Sequence, residues 1–231
     1  MKIAWGAGAV ADYPWHLDGT KKWDHLDTVC IFDLMKKLKE NGIEFIDTAN
    51  RYGQGLSEKY IGSSRIDGFL KRIKIITKIE SCETYQEMNA LLDQTVLRMG
   101  IPHGLLIHNP PYERIAFVSA WMKKIEFTSF KGVSTEPDKS ILHACQDFGL
   151  NVIQIPYSKW DRRAEDEIFP YLWDGCTIMI NRVLGGPEIG KSNKKVEEAL
   201  SFIKSSRAKI DIVIIGTTNI KHLIECKEIL I

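Results

Sequence analysis

Long apolar runs are missing from this sequence. Nowhere in its 231 residues does a hydrophobic stretch approach the roughly 20 residues that a helix needs to cross a bilayer. No polybasic amphipathic segment offers itself to a membrane surface either. Cysteine is sparse: Cys30, Cys82, Cys145, Cys176 and Cys226 are odd in number, widely spaced and free of any Cys-x-x-Cys pair. That pattern points away from a zinc centre or disulfide framework and fits a reducing, cytoplasmic setting. An excess of charge of one sign is also lacking, since 31 Lys and Arg balance 30 Asp and Glu to leave +1. A nucleic-acid partner is therefore not expected. The start, Met1 to Ala11, carries one lysine and is too short for a secretory signal, so it reads as a first strand. Low-complexity tracts and internal sequence repeats are absent.

What is present is an alternation. Short β-branched runs recur at Ile3 to Trp5, Glu44 to Asp47, Ile73 to Lys78, Gly104 to His108, Phe130 to Ser134, Val152 to Pro156, Thr177 to Asn181 and Asp211 to Ile215. Amphipathic segments lie between them, such as Thr28 to Asn41, whose Val29, Phe32, Leu34, Met35 and Leu38 follow a near-3.6 period and stop before Gly42. Thr84 to Met99, Glu113 to Lys124, Asp138 to Phe148, Lys194 to Ser205 and Asn219 to Leu230 repeat it. The rhythm predicts βαβ units on a parallel sheet, and a unit of roughly 29 residues accommodates eight of them in one domain spanning 1–231. Two connections are long, Gly6 to Asp27 and Leu184 to Asn193. Both follow the carboxyl end of a strand, where barrels and doubly wound sheets alike place their ligands, so both are site candidates.

Chemistry concentrates from Gly42 to Gly62, GIEFIDTANRYGQGLSEKYIG, where a strand ends in Asp47 and a loop bearing Tyr52 and Gly53 leads into a helix. Taken singly, an Asp before a loop is most often a cap, a loop Tyr is surface packing, and a strand-end Lys is solvated. Taken together, this stretch resembles the aldo/keto reductases, in which the second strand ends Asp-Thr-Ala, a Tyr follows five residues after the Asp, and Ser-Glu opens the next helix. The likeness recurs in order in IKIITK ending at Lys78, GLLIH ending at His108, KGVS ending at Ser134, VIQIPYS around Gln154, and IIGTTN at Gly216.

The resemblance implies a slightly abbreviated (β/α)8 TIM barrel without the long C-terminal loop of the larger members, with Asp47, Tyr52, Lys78 and His108 as its catalytic set. Chemistry explains that set. Reducing a carbonyl needs hydride at carbon and a proton at oxygen, and a phenol of pKa near 10 must be tuned to give it. An ammonium at Lys78 favours phenolate at Tyr52, Asp47 holds Lys78, and a neutral His108 orients the substrate oxygen.

By the same resemblance the cofactor is NADP, with NAD as the other possibility. Its nicotinamide carboxamide is expected at Ser134 and Gln154, with Tyr157 lining the same face. Thr135 stands where the family usually has Asn. Arg182, Leu184 and Gly186 are expected at the pyrophosphate, where a guanidinium and glycine N–H groups suit an anion. Gly216, Thr217 and Thr218 precede the last helix, whose N-terminus favours the adenosine-side phosphate. His222 aligns with the basic residue that many members place against the 2′-phosphate, with Lys221 as a substitute, and Cys226 aligns with the adenine-side Asn. No Gly-x-Gly-x-x-Gly opens a helix after a strand, because Gly6-Ala7-Gly8-Ala9 is followed by Asp12, Tyr13 and Pro14. No metal is expected.

Trp5, Trp15 and Trp23 are the candidate walls of the substrate pocket, since rings give rigid apolar area with a polar tip. An open pocket suits a small carbonyl compound, a sugar or a nucleotide-sugar, in a monomer or small homo-oligomer. The reading is thus an NAD(P)H-dependent oxidoreductase interconverting a carbonyl and its alcohol. Two rivals remain: a non-catalytic nucleotide-binding redox sensor, and a barrel lyase or isomerase using Lys78 as a Schiff-base amine.

Overall fold

The computed structural model describes residues 1–8, 28–66, 73–185 and 193–231. Eight parallel strands close on themselves in chain order. They are β1 (Lys2–Gly6), β2 (Phe45–Asp47), β3 (Lys74–Glu80), β4 (Gly104–His108), β5 (Phe130–Ser134), β6 (Val152–Pro156), β7 (Thr177–Asn181) and β8 (Ile212–Gly216). β1 pairs with both β2 and β8, as closure requires. Each strand falls within two residues of its sequence expectation, and the (β/α)8 barrel expected from the resemblance is what the chain builds.

Strand alternation divides the core into two layers. Ala4, Phe45, Ile76, Leu106, Val152, Met179, Ile212 and Ile214 fill the barrel, while their odd-register neighbours, such as Trp5, Ile75, Ile107 and Ile153, meet the surrounding helices. Continuing the inward register toward the carboxyl ends brings up Asp47, Lys78, His108, Ser134, Gln154 and Asn181. The register that buries the barrel core therefore also delivers the polar rim.

The helices around it are α1 (Thr28–Glu40), α2 (Leu56–Ile66), α3 (Tyr85–Met99), α4 (Ile115–Met122), α5 (Lys139–Asp147), α6 (Ala164–Glu167), α7 (Asn193–Ser205) and α8 (Ile220–Leu230). Their starts have legible causes. Thr84 and Glu87 form a reciprocal capping box on α3, Asp138 accepts from the N–H groups of Ser140 and Ile141 to start α5, and Asn219 caps α8. Between β6 and β7 the connection shrinks to the four-residue α6 and a 3₁₀ turn at Phe169–Tyr171. Among the described residues no helix is long and apolar enough to cross a membrane. The two long connections singled out in the sequence fall largely outside the described residues, and with them Trp15, Trp23 and Gly186.

Candidate active site

Tyr52 opens a tight turn, Tyr52–Gly55, in which Gly53 and Gln54 have φ of 56° and 54° before α2 begins at Leu56. The turn is pinned from below. Thr48 and Ser57 share a hydrogen bond of 2.8 Å, and the Ser57 hydroxyl donates to the Ala7 carbonyl at 3.1 Å. At Gly55, φ is 89° and an added Cβ would lie 2.3 Å from the Arg98 guanidinium carbon, so only glycine admits both the turn and the arginine that crosses it. Arg98 in turn reaches Glu58 at 3.1 Å. Glu58 is fully buried and also accepts from Thr77 at 2.8 Å and Thr95 at 3.0 Å, tying α2 and α3 to β3 one residue before Lys78. Burial raises the Glu58 pKa against the opposing pull of Thr77, Arg98 and Thr95.

The Lys78 ammonium donates to both oxygens of Asp47 and to the Thr48 carbonyl, each at 2.8 Å. It is almost fully buried. Burial alone would push Lys78 down, yet the charges of Asp47 and Tyr52, with the hydrogen bonds to Asp47, hold it above the ordinary lysine value. Its Nζ lies 5.3 Å from the Tyr52 ring centroid. His108 meets that ring edge-on, with centroids 6.4 Å apart and planes at 88°. Burial first, then the Lys78, Arg51 and Arg182 charges, lower the His108 pKa to about 3. The imidazole is neutral at any working pH, as a hydrogen-bond donor to a developing oxyanion requires. The four residues expected to act together stand together.

Beside them, Ser134 donates to Gln154 Oε1 at 2.7 Å, and Gln154 Nε2 donates to Asp47 Oδ1 at 2.7 Å. Across the described residues, four buried polar side-chain atoms lack a hydrogen-bond partner: Asn50 Oδ1, Ser81 Oγ, His108 Nδ1 and Asn181 Oδ1. All four sit at one rim, after β2, after β3, at the end of β4 and at the end of β7. Buried polar groups are ordinarily satisfied, so such a cluster marks where a polar ligand belongs.

Two expectations need correction. Trp5 does not line a substrate pocket: it is fully buried in the layer between barrel and helices, and its indole donates to the Thr217 carbonyl at 2.8 Å. Strand alternation explains this, because Ala4 takes the inward position. Tyr157 does not face the carboxamide site. Its ring packs on Phe169 and Phe202, and its hydroxyl donates to Glu165 at 2.9 Å. It continues the outward register of Ile153 and Ile155 in the same outer layer.

The phosphate-side candidates are spread more loosely. Arg182 has φ of 53° and pairs with Glu136 at 3.0 Å, which also binds Arg163 at 2.7 Å. Leu184 is half-buried against the outer core. Gly216 is exposed, Thr217 accepts from the Asn219 N–H at 3.1 Å, and Thr218 is half-buried. His222 and Lys221 are exposed on the first turn of α8, whereas Cys226 is buried on its inner face and offers nothing to an adenine. Sequence reasoning missed Glu58 as an anchor, Glu136 as the partner of Arg182, and Asn181. The alternation of β7 was the available signal for Asn181, since it keeps the inward register of Met179.

The sequence profile of the aldo/keto reductase family matches residues 15–198. The chain belongs to the aldo/keto reductase family. Its chemistry is that of an NAD(P)-dependent oxidoreductase. No curated protein matches it in sequence, and its likeness to solved reductases is one of fold. A protein from Pseudomonas aeruginosa assigned as an aldo-keto reductase superposes with a TM-score of 0.78 at 17% identity, covering 99% of this chain and 88% of that one. An aldo/keto reductase from Klebsiella pneumoniae, solved with NADP and acetate, gives 0.77 at 16% identity, with 99% and 85% covered. The glycerol dehydrogenase of Gluconobacter oxydans gives 0.73 at 16% identity, again with 99% and 85% covered.

Proposed function

We propose that this aldo/keto reductase reduces a small aldehyde, ketone or sugar carbonyl with NADPH, with Tyr52 as proton donor, and runs the reverse oxidation when alcohol is in excess. The observation that carries this reading is the Asp47–Lys78–Tyr52–His108 constellation at the rim, with Lys78 fixed as an ammonium and His108 neutral. Tyr52 stands edge-on to the neutral imidazole, and Lys78 beside it stabilises the phenolate that proton donation leaves. His108 donates to the substrate oxygen and steadies the charge growing there. Asp47 keeps Lys78 from turning away. A redox sensor has no need of this set, and a Schiff-base amine must be free and neutral, whereas Lys78 is charged and held by three acceptors.

The residues at the rim fit a nicotinamide nucleotide. Gln154 keeps one N–H and part of its oxygen after its bonds to Asp47 and Ser134, and Asn181 presents an unpaired buried oxygen one strand away; both suit a primary amide. Arg182 and the N-terminus of α8 suit phosphates. NADP in a structural neighbour's crystal supports the same choice. When bound, the nucleotide supplies a hydride to the carbonyl carbon. The unpaired thiols at Cys82, Cys145, Cys176 and Cys226 are in keeping with a cytoplasmic enzyme.

The test is a tryptophan-fluorescence titration with NADPH and NADH, followed by assay against a panel of aldehydes, ketones, free sugars and nucleotide-sugars. Micromolar NADPH binding with carbonyl-dependent nucleotide oxidation is expected. Failure of both nucleotides to bind would end the hydride-transfer reading.

A further inference from the structure

A hydrogen-bonded chain runs from β5 to Lys78, whose ammonium lies 5.3 Å from the ring centroid of Tyr52. Ser134 on β5 donates to Gln154 on β6, Gln154 donates across the barrel to Asp47 on β2, and Asp47 accepts from Lys78 on β3, which stands beside Tyr52. The printed bonds measure 2.7–2.8 Å, and Ser134, Gln154, Asp47 and Lys78 are all at least nine-tenths buried. Ser134 and Gln154 were expected only to hold the nicotinamide. Nothing about that task requires Gln154 to touch Asp47, 107 residues away in sequence.

We propose that Gln154 is a positioning residue that sets the acidity of Tyr52 through Asp47 and Lys78, and that Ser134 holds the Gln154 amide in the orientation that does so. Asp47 Oδ1 accepts from both the ammonium and the Gln154 amide. The amide donor stabilises the carboxylate charge and leaves more of the Lys78 field for the phenolate. Without it, Asp47 leans harder on Lys78, the positive field at Tyr52 weakens, and the phenol ionises at higher pH. If Ser134 lets go, the amide can flip and present its oxygen to Asp47, which acts in the same direction more weakly. The other described charges near Tyr52 do not depend on this link. Arg51 pairs with Glu80 at 3.7 Å, Arg182 pairs with Glu136, and His108 stays neutral.

In the proposed reductase this chain would make the proton donor responsive to whatever engages Gln154, so the inference takes its catalytic meaning from that reading. Its test does not. The cofactor-free protein is titrated by ultraviolet tyrosinate absorbance, with each variant measured against its own Tyr52→Phe counterpart so that the difference isolates Tyr52. Gln154→Met is expected to raise the Tyr52 pKa by about half a unit or more, and Ser134→Ala by less in the same direction. If Gln154→Met does not fold, Ser134→Ala carries the test alone. An unchanged Tyr52 titration in folded variants overturns the proposal. NADPH binding is measured on the same wild-type sample. Binding without a Tyr52 shift in the variants defeats this inference and spares the reductase reading, whereas a shift without binding defeats the reading and spares the inference.

Discussion

Two buried ion pairs meet β3 at neighbouring residues, one through Lys78 and one through Thr77, and differ in their surroundings. Asp47–Lys78 is almost fully buried on both sides, faces the barrel mouth, and holds a cation beside an ionisable phenol. Glu58–Arg98 faces the other way, between α2, α3 and β3; its glutamate is fully buried and its arginine side chain keeps 20% of its exposure. The first is tied by Gln154 and a backbone carbonyl to the site, the second by Thr77 and Thr95 to the scaffold. Desolvating two charges costs several kcal/mol per ion, so neither pair is explained by stability alone. In the proposed mechanism the first places a charge beside the proton donor. The other fixes the strand and turn that carry the chemistry.

One double and two single replacements separate the two roles. Asp47→Leu with Lys78→Met is expected to cut kcat/KM by about 10³-fold or more while moving Tm by no more than about 5 °C, checked by steady-state assay and calorimetry. A large loss of Tm would make this pair structural. Glu58→Ala, leaving Arg98, Thr77 and Thr95 without their acceptor, is expected to destabilise by about 3 kcal/mol in urea melts, with NADPH affinity changed little. Gly55→Ala, forcing a Cβ against the pinned Arg98, is expected to cost about 1–2 kcal/mol and to lower kcat more than it raises KM, since the displaced turn bears Tyr52.

The smallest effect concerns pH. A histidine whose folded pKa is lowered makes the native state bind fewer protons than the unfolded one. The His108 contribution to stability therefore rises with pH from about 3 to 6.5 and is lost as pH falls through that window. His108→Gln is expected to flatten this slope, gaining about 1 kcal/mol on wild type between pH 6.5 and 5.5. Parallel slopes would mean that His108 titrates normally.

The barrel was legible because its code is redundant. Eight β-branched runs each state their own strand, and caps such as Thr84, Asp138 and Asn219 state the helix starts. The candidate catalytic residues were legible because each lies at or near the carboxyl end of a strand in a recognisable sequence pattern. Trp5 and Tyr157 misled because an aromatic beside a strand end says nothing about which face it takes. Strand alternation decides that, and both fall on the outward face. Glu58 and Gln154 were only partly legible. Their partners Thr95, Arg98 and Asp47 lie 37, 40 and 107 residues away, and only barrel closure brings them together.

The most direct measurement pairs nucleotide binding with turnover in wild type and Tyr52→Phe. The phenylalanine variant should bind NADPH with a Kd within a few-fold of wild type and lose carbonyl-dependent NADPH oxidation by about 10²-fold or more, the scale of a lost general acid. Turnover in Tyr52→Phe comparable to wild type would contradict the account at its centre.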